Sequence, residues 1–207
     1  MTIQDIFSHT RLFFRDPVYC LEVLKSAAFF AAALILNYFA VRWATATAGP
    51  AVPDLLLDWL PMRDTRVIDY YGTLYLEYAV LFYALVQAGR LPFFLKALTA
   101  LIVTRALFIN LTHLGIPAGA EPTISFFTQG GDLFFSGHVA LPFLAALVYW
   151  EFRKIRLIFL VGTLIMAGEV LLGHQHYSID VLAAPFITYG IYRLVSKMFV
   201  RDFSLKK

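Results

Sequence analysis

The sequence predicts an all-α fold: a polytopic membrane protein with six transmembrane helices. These helices belong to a single membrane domain, residues 1–207. Hydrophobic residues make up 60% of the chain and aromatic residues 16%, and the mean hydropathy is +0.71. A soluble domain needs far more polar surface than this composition provides. Apolar segments near the ~20 residues that cross ~30 Å of hydrocarbon recur along the chain.

The predicted elements begin with residues 1–17, which alternate apolar residues with Asp5, Arg11 and Arg15. This pattern is typical of a short helix in the membrane interface, and a frayed terminus explains it equally well. A six-span core, 23–198, follows. Its spans are placed at residues 23–41, 67–88, 92–113, 137–152, 156–174 and 178–198.

The distribution of basic residues predicts the orientation. With both termini cytoplasmic, the inner face holds thirteen Lys and Arg residues and the outer face three, and Arg105 within the third span completes the 17. The loop between the third and fourth spans, residues 114–135, has none. The ends of the spans that carry Ser136 and His176 should therefore face the periplasm or exterior. The short chain favours a bacterial inner membrane.

Several classes of partner are excluded by composition. The basic residues are spread over short loops rather than clustered beside stacking aromatic residues, which argues against nucleic acid. Cys20 is the single cysteine, so neither an internal disulfide nor a cysteine-based metal site is expected. We find no convergent His and carboxylate spacing and expect no metal or other cofactor. The bilayer is an expected partner, and the sequence leaves homo-oligomerisation open.

His176 and Asp180 form the first candidate site, at the start of the sixth span. Four residues apart in a helix, they would lie on one face. A carboxylate on one imidazole nitrogen fixes the ring and leaves the other nitrogen free as a base or nucleophile. An interfacial histidine bonded to a structural aspartate is the alternative.

Ser136, Gly137 and His138 form the second candidate site, where the fourth span begins. Serine is a preferred N-cap, and the free N–H groups of a helix start bind anions. Glycine allows close approach of a ligand, and His138 could give a proton to a departing oxygen. A plain capping turn would explain this site alone. Because a membrane hairpin brings both sites together, the combination indicates phosphoryl transfer, with one imidazole attacking phosphorus and the other protonating the leaving oxygen.

The two sites resemble the type-2 phosphatidic acid phosphatase superfamily, and specifically its sphingomyelin synthase-like branch. Residues 130–139 read GGDLFFSGHV, similar to that branch's C-G-D-x-x-x-S-G-H-T block, and residues 176–181 read HYSIDV, which matches H-Y-[ST]-x-D-V in full. Residues 52–54 are similar to its proline-aspartate motif. Its arginine-bearing third span has weaker counterparts in Arg105, Leu111, Thr112 and Pro117.

The resemblance implies that His176 forms a phosphohistidine, that Asp180 orients it, and that His138 protonates the departing alcohol and then activates the acceptor. The wider superfamily's Lys-x6-Arg-Pro block is absent, and Val170 stands where its second arginine precedes the histidine. These two missing cations favour the synthase-like branch over ordinary lipid phosphatases. Gly130 and Val139 replace that branch's Cys and Thr, which leaves substrate choice open.

Four further polar residues are candidates for the site or for internal pairing. Arg105 could neutralise a substrate phosphate, and Glu169 lies on roughly the same helical face as His176; an Arg105–Glu169 ion pair is the alternative. Asp132 is predicted either to contact substrate or to cap a loop. Glu77 is expected to be a buried protonated or hydrogen-bonded carboxyl.

Three functions remain open from the sequence. The first is a lipid phosphotransferase that moves a phosphoryl or phospho-head-group from a phospholipid donor to a ceramide- or diacylglycerol-type alcohol. The second is a lipid-phosphate phosphatase with water as acceptor and inorganic phosphate as product. The third is a non-catalytic membrane protein that binds or moves lipids, against which the complete set of His138, His176 and Asp180 argues.

Overall fold

A computed structural model describes residues 13–120 and 132–204, and these two ranges form helices and contain no strand. A 3-10 turn, Ala88–Arg90, precedes the helix that begins at Leu91. The helices are α1 (Pro17–Ala46), α2 (Leu55–Trp59), α3 (Arg66–Val86), α4 (Leu91–Phe108), α5 (Gly137–Val148), α6 (Arg153–Leu172), α7 (Ser178–Met198) and α8 (Val200–Ser204). The all-α prediction is confirmed.

Within the described ranges, four helical stretches are long and apolar enough to cross a membrane: Pro17–Ala46, Ala88–Phe108, Arg153–Leu172 and Ser178–Met198. The other two predicted spans are also helical, but α5 has 12 residues. The helix α3 has 21 residues, among them Arg66, Asp69 and Glu77. Six helices thus occur where six spans were predicted, while six crossings and the orientation stay predictions.

The helix α1 begins earlier than predicted, at Pro17, because Asp16 caps it and accepts a hydrogen bond from the Val18 N–H at 2.9 Å. Proline at the first position loses no helical hydrogen bond. The predicted interfacial helix over 1–17 falls mostly on residues 1–12, which lie outside the described residues.

The short helix α5 forms the centre of the bundle, packed by α6, α7, α3 and α4. Its side chains from Leu144 to Ala146 are fully buried. After Val148 the chain turns and returns along α6, and Arg156 stacks over the Trp150 ring at 4.4 Å in this turn. The hairpin brings the start of α5 and the end of α6 to the same end of the bundle.

The helix α1 packs mainly along α4 and exposes many apolar side chains on its other faces. At the end remote from the histidines, the Tyr19 hydroxyl donates to the Ala88 carbonyl at 2.6 Å, and Lys96 pairs with both Glu22 and Asp202. These polar ties fix the helix ends, while the exposed apolar surface suits contact with lipid.

Loops at the histidine end are held by close backbone contacts. The Gly49 N–H donates to the His113 carbonyl at 2.9 Å. The Tyr177 hydroxyl donates to the Gly115 carbonyl at 2.9 Å and accepts from the Val52 N–H at 3.0 Å. A Cβ atom on Gly115 would lie 2.1 Å from the Gly49 carbonyl oxygen. Only glycine permits this approach, so the loops before α2 and after α4 are locked beside α7.

We predict that Gly115→Ala lowers the free energy of unfolding by about 1–3 kcal/mol, the usual cost of overpacking, because backbone must move to admit the methyl group. Thermal unfolding in detergent micelles measures the change. Gly168→Ala is the control, since a Cβ there meets no atom within 4 Å. Equal stability of the two variants would contradict the packing argument.

Candidate active site

His176 and Asp180 meet at the start of α7. The Nδ1 atom of His176 lies 3.3 Å from Oδ2 of Asp180, and the same oxygen accepts from the Tyr177 N–H at 3.0 Å. His176 stands two residues before the helix, so the two residues do not share a helical face as predicted. The carboxylate instead reaches back over the helix start, as in a capping box. Asp180 is fully buried and His176 is 5% exposed.

Ser136, Gly137 and His138 lie where α5 begins, beside that pair. The Ser136 N–H donates to the Asp180 carbonyl at 3.1 Å, which ties the start of α5 to the start of α7. The rings of His138 and His176 are 5.9 Å apart between centroids, with 67° between their planes. The structure therefore brings together the two histidines that the sequence singled out.

The Ser136 side chain does not cap α5 as predicted. Its Oγ atom is buried, as is Nδ1 of His138, and within the described ranges neither atom has a hydrogen-bond partner. Buried polar atoms without partners are costly and are normally satisfied. Two such atoms at the N-terminus of a helix, next to its free N–H groups, are suited to an anionic ligand.

Arg105, in the last turn of α4, crosses to the segment before α5. Its Nε donates to the Phe135 carbonyl at 2.7 Å and its Nη2 to Oδ1 of Asp132 at 2.8 Å. A Cβ atom on Gly137 would lie 3.3 Å from Nη1 of Arg105. The guanidinium thus borders the helix start, and the role that the structure gives Asp132 is to pair with it.

Glu169 does not pair with Arg105, so that alternative was wrong. Its Oε1 accepts from the Thr65 hydroxyl at 2.8 Å and from the Gln175 amide at 2.9 Å. The carboxyl is buried in α6 and supports the turn that leads into His176. The predicted burial of Glu77 was also wrong, because this residue lies on the exposed surface of α3, while its predicted protonation stays a prediction.

Asp69 is a residue of the site that sequence reasoning missed. It lies in the first turn of α3, is 7% exposed, and places Oδ1 3.4 Å from Nε2 of His138. The sequence did contain a signal for it: Asp69 is a carboxylate at the outer end of an apolar segment, on the same predicted side of the membrane as both histidines.

Asp54, the aspartate of the proline-aspartate motif, joins the start of α2 to the start of α7. Its Oδ1 accepts from the Leu56 and Leu57 N–H groups and caps α2, at 3.0 and 3.2 Å. Its Oδ2 accepts from the Ser178 N–H at 2.7 Å and the Ser178 hydroxyl at 2.9 Å. The loop before α2 is thereby fastened to the first residue of α7, two positions after His176.

An outer cavity adjoins this fastening. It is lined in part by Asp54, Asp58, His174 and Tyr177. An apolar groove runs between α3 and α6 and does not include the histidines. The described residues contain no cluster of three or more His, Cys, Asp or Glu residues that could hold a metal ion.

The pKa of Asp54 responds to two opposing effects. Burial raises it, and the hydrogen bonds from Ser178, Leu57 and Leu56 lower it, with a net pKa below the ordinary 3.8. A depressed folded-state pKa gives stability that is present above the unfolded pKa and is lost as the pH falls through the folded value.

We predict that the wild-type protein loses stability as the pH is lowered below about 3.8 and that Asp54→Ala loses less over the same range. At neutral pH the variant should be less stable by about 1 kcal/mol or more, from the lost N-cap. Thermal unfolding as a function of pH measures both effects. Asp58→Ala removes an exposed carboxylate of the same short helix and should behave as wild type; matching pH profiles for the two variants would exclude this role for Asp54.

Comparison with known proteins rests on the C-terminal part of the chain. No curated protein is a significant match to the sequence. Residues 129–198 match the family model described as PAP2 superfamily C-terminal, a range that contains both histidines and Asp180. Together with the apolar helices, this match points to a membrane protein that acts on lipids. It supports the type-2 phosphatidic acid phosphatase superfamily, whose members are phosphatases and phosphotransferases.

Proposed function

We propose that the protein is an integral membrane enzyme that moves a phosphoryl or phospho-head-group from one lipid to the hydroxyl of another, of the ceramide or diacylglycerol type, through a phosphohistidine. The observation that carries the proposal is the pair of imidazoles 5.9 Å apart at the N-terminus of α5. A phosphorus atom between two such rings can be attacked from one side while the leaving oxygen is protonated on the other.

His176 is the nucleophile in this proposal. Asp180 occupies the Nδ1 side of the ring at 3.3 Å, which leaves Nε2 to attack phosphorus. The carboxylate offsets the positive charge that the ring acquires as the N–P bond forms. The fixed position of Asp180, bonded also to the Tyr177 N–H, keeps the imidazole oriented without substrate.

The transferred phosphate is proposed to bind at the start of α5. The free N–H groups there, the Ser136 hydroxyl and the Arg105 guanidinium are donors suited to its non-bridging oxygens. His138 supplies the proton to the departing alcohol in the first half of the reaction. In the second half it takes a proton from the acceptor hydroxyl, which then attacks the phosphohistidine.

We further propose that α3 and α5 cross the membrane with the other four helices, with both termini inside. Arg153, Lys154 and Arg156 begin α6 at the end opposite the histidines, and positive residues favour the cytoplasmic side. The active site then faces the periplasm or exterior of a bacterial inner membrane, and its substrates come from the outer leaflet.

Transfer is favoured over hydrolysis because the reacting groups are buried and few cations surround them. Ser136 and Asp180 are fully buried and His176 nearly so, and a site that excludes water protects a reactive intermediate from hydrolysis. Phosphatase activity is the second candidate, since the matched C-terminal region is common to phosphatases and phosphotransferases. Both reactions share the phosphohistidine step and differ in the acceptor.

A product assay tests the proposal directly. Purified protein is incubated with candidate phospholipids, with and without ceramide or diacylglycerol, and the products are identified by mass spectrometry. A new phospholipid that forms only with the lipid alcohol is expected. Release of inorganic phosphate from a phosphomonoester lipid, or of the free phosphorylated head group from a phosphodiester lipid, would replace transfer by hydrolysis. Unchanged lipids under all conditions would contradict an enzymatic role.

We predict that His176→Ala lowers turnover on the order of 10⁴-fold or more, as loss of a covalent nucleophile does. The variant should still insert and fold. Phosphate label from the donor should be trapped on His176 of the wild type only. His113→Ala is the control, because His113 is exposed and its ring contacts the Thr47 carbonyl. Full activity in His176→Ala would remove the nucleophile assignment.

We predict that His138→Ala slows release of an alkyl alcohol about 10²- to 10⁴-fold, the contribution of a positioned acid. Substrates with acidic leaving groups should recover much of the single-turnover rate, because their departure needs no proton. The rate of leaving-group release is measured for the variant and the wild type. Equal losses with both kinds of substrate would argue against a general acid.

A further inference from the structure

The surroundings of His138 contain a carboxylate whose part in the reaction remains to be assigned. Asp69 reaches from the first turn of α3 to within 3.4 Å of Nε2 of His138. The Asp69 side chain is 11% exposed and the His138 side chain 18%. Among the described residues, His138 is the ion-pair partner of Asp69.

The segment that carries Asp69 is held at its start. The Gln175 side chain lies near Asp69 and donates to Glu169 at 2.9 Å. Glu169 is in turn held by the Thr65 hydroxyl, one residue before α3. These hydrogen bonds join the residue before α3 to α6 and to the turn before His176, so the start of α3, which carries Asp69, is held beside both.

Each histidine thus has a carboxylate on one nitrogen and leaves the other free. In His176 the carboxylate is Asp180, on Nδ1. In His138 it is Asp69, on Nε2, while Nδ1 is buried and has no hydrogen-bond partner in the described part of the chain. The two histidines therefore present opposite ring nitrogens to the reaction.

We propose that Asp69 is a positioning residue for the acid–base step, an inference that rests on the proposed function. Its carboxylate accepts the Nε2–H of His138 and so makes Nδ1 the atom that exchanges protons. The arrangement is the one by which a carboxylate fixes the tautomer of a catalytic histidine and stabilises its imidazolium.

The proton movements balance over the two half-reactions. First, Nε2 of His176 forms a bond to phosphorus as the bond from phosphorus to the donor oxygen breaks, and the proton on Nδ1 of His138 passes to that oxygen. Second, Nδ1 of His138 takes the proton of the acceptor hydroxyl as its oxygen binds phosphorus and the N–P bond breaks. Asp69 stays ionised throughout and acts through His138.

The charges around His138 explain why a carboxylate is needed there. Arg105 borders Gly137 next to it, and the ring of His176 gains positive charge when it is phosphorylated. Nearby positive charges disfavour an imidazolium. Asp132 is paired with Arg105 and Asp180 with His176. Among the described residues this leaves Asp69, at Nε2, as the counter-ion of the His138 imidazolium.

The test compares Asp69→Asn with wild type on two esters of the same phosphate head group, one with an alkyl alcohol and one with 4-nitrophenol. Single-turnover release of the leaving group isolates the first half-reaction. We expect a loss of about 10- to 100-fold with the alkyl ester, part of what a positioned acid contributes, and a change within about threefold with the nitrophenyl ester, whose departure needs no proton. Glu77→Gln, a matched change at an exposed position of the same helix, should leave both rates unaltered.

Equal losses with both esters, or no loss with either, would overturn the inference. Asp69→Glu keeps the carboxylate and should be faster than Asp69→Asn with the alkyl ester. If Asp69→Asn does not fold, the two esters are compared in Asp69→Glu, and we expect a loss of rate with the alkyl ester only. His176→Ala is measured in parallel. Activity in His176→Ala would refute the proposed function itself. If His176→Ala is inactive and the loss in Asp69→Asn does not depend on the leaving group, only the assignment of Asp69 is refuted.

Discussion

Asp180 is the residue on which the geometry of the site depends. Its carboxylate contacts Nδ1 of His176 and accepts the Tyr177 N–H, while its backbone carbonyl accepts the Ser136 N–H from the segment that precedes α5. One fully buried residue therefore sets the ring of one histidine and the start of the helix that carries the other. In an apolar bundle a buried charge needs such bonds, and Oδ2 makes both of them, so the bonds that stabilise the carboxylate also define the site. Oδ1 is buried and has no hydrogen-bond partner in the described ranges.

The loops at the histidine end extend this rigidity. Tyr177 bridges the loop before α2 and the loop after α4, and Asp54 fastens the first of these loops to Ser178. The two residues after His176 are thus held by segments more than sixty positions away in sequence. A nucleophile that is preorganised in this way loses little freedom on binding substrate, which lowers the entropic part of the barrier.

Apolar segment length and the spacing of His138, His176 and Asp180 were sufficient to predict the all-α architecture and the meeting of the two histidines. Helix ends and pair partners were less predictable, because they depend on contacts between distant segments. Nothing near Glu169 in sequence indicates Thr65 as its partner. Asp69 was missed for the same reason, since its distance from His138 follows from how α3 packs on α5, which periodicity does not encode. Glu77 shows the reverse error, since its carboxyl was predicted to be buried and lies on the surface of α3.

The charge balance around the start of α5 bears on the kind of phosphate that fits. Arg105 is already neutralised by Asp132, and Asp69 and Asp180 each add a carboxylate close to a histidine. The donors left for a phosphate are then largely neutral: helix N–H groups, the Ser136 hydroxyl and the free side of one guanidinium. Such a set is better matched to the single charge of a phosphodiester than to the double charge of a phosphomonoester, because each uncompensated charge in a buried site is costly. A phosphodiester donor is a phospholipid with its head group attached, and transfer of that head group to a lipid alcohol preserves the single charge from substrate to product.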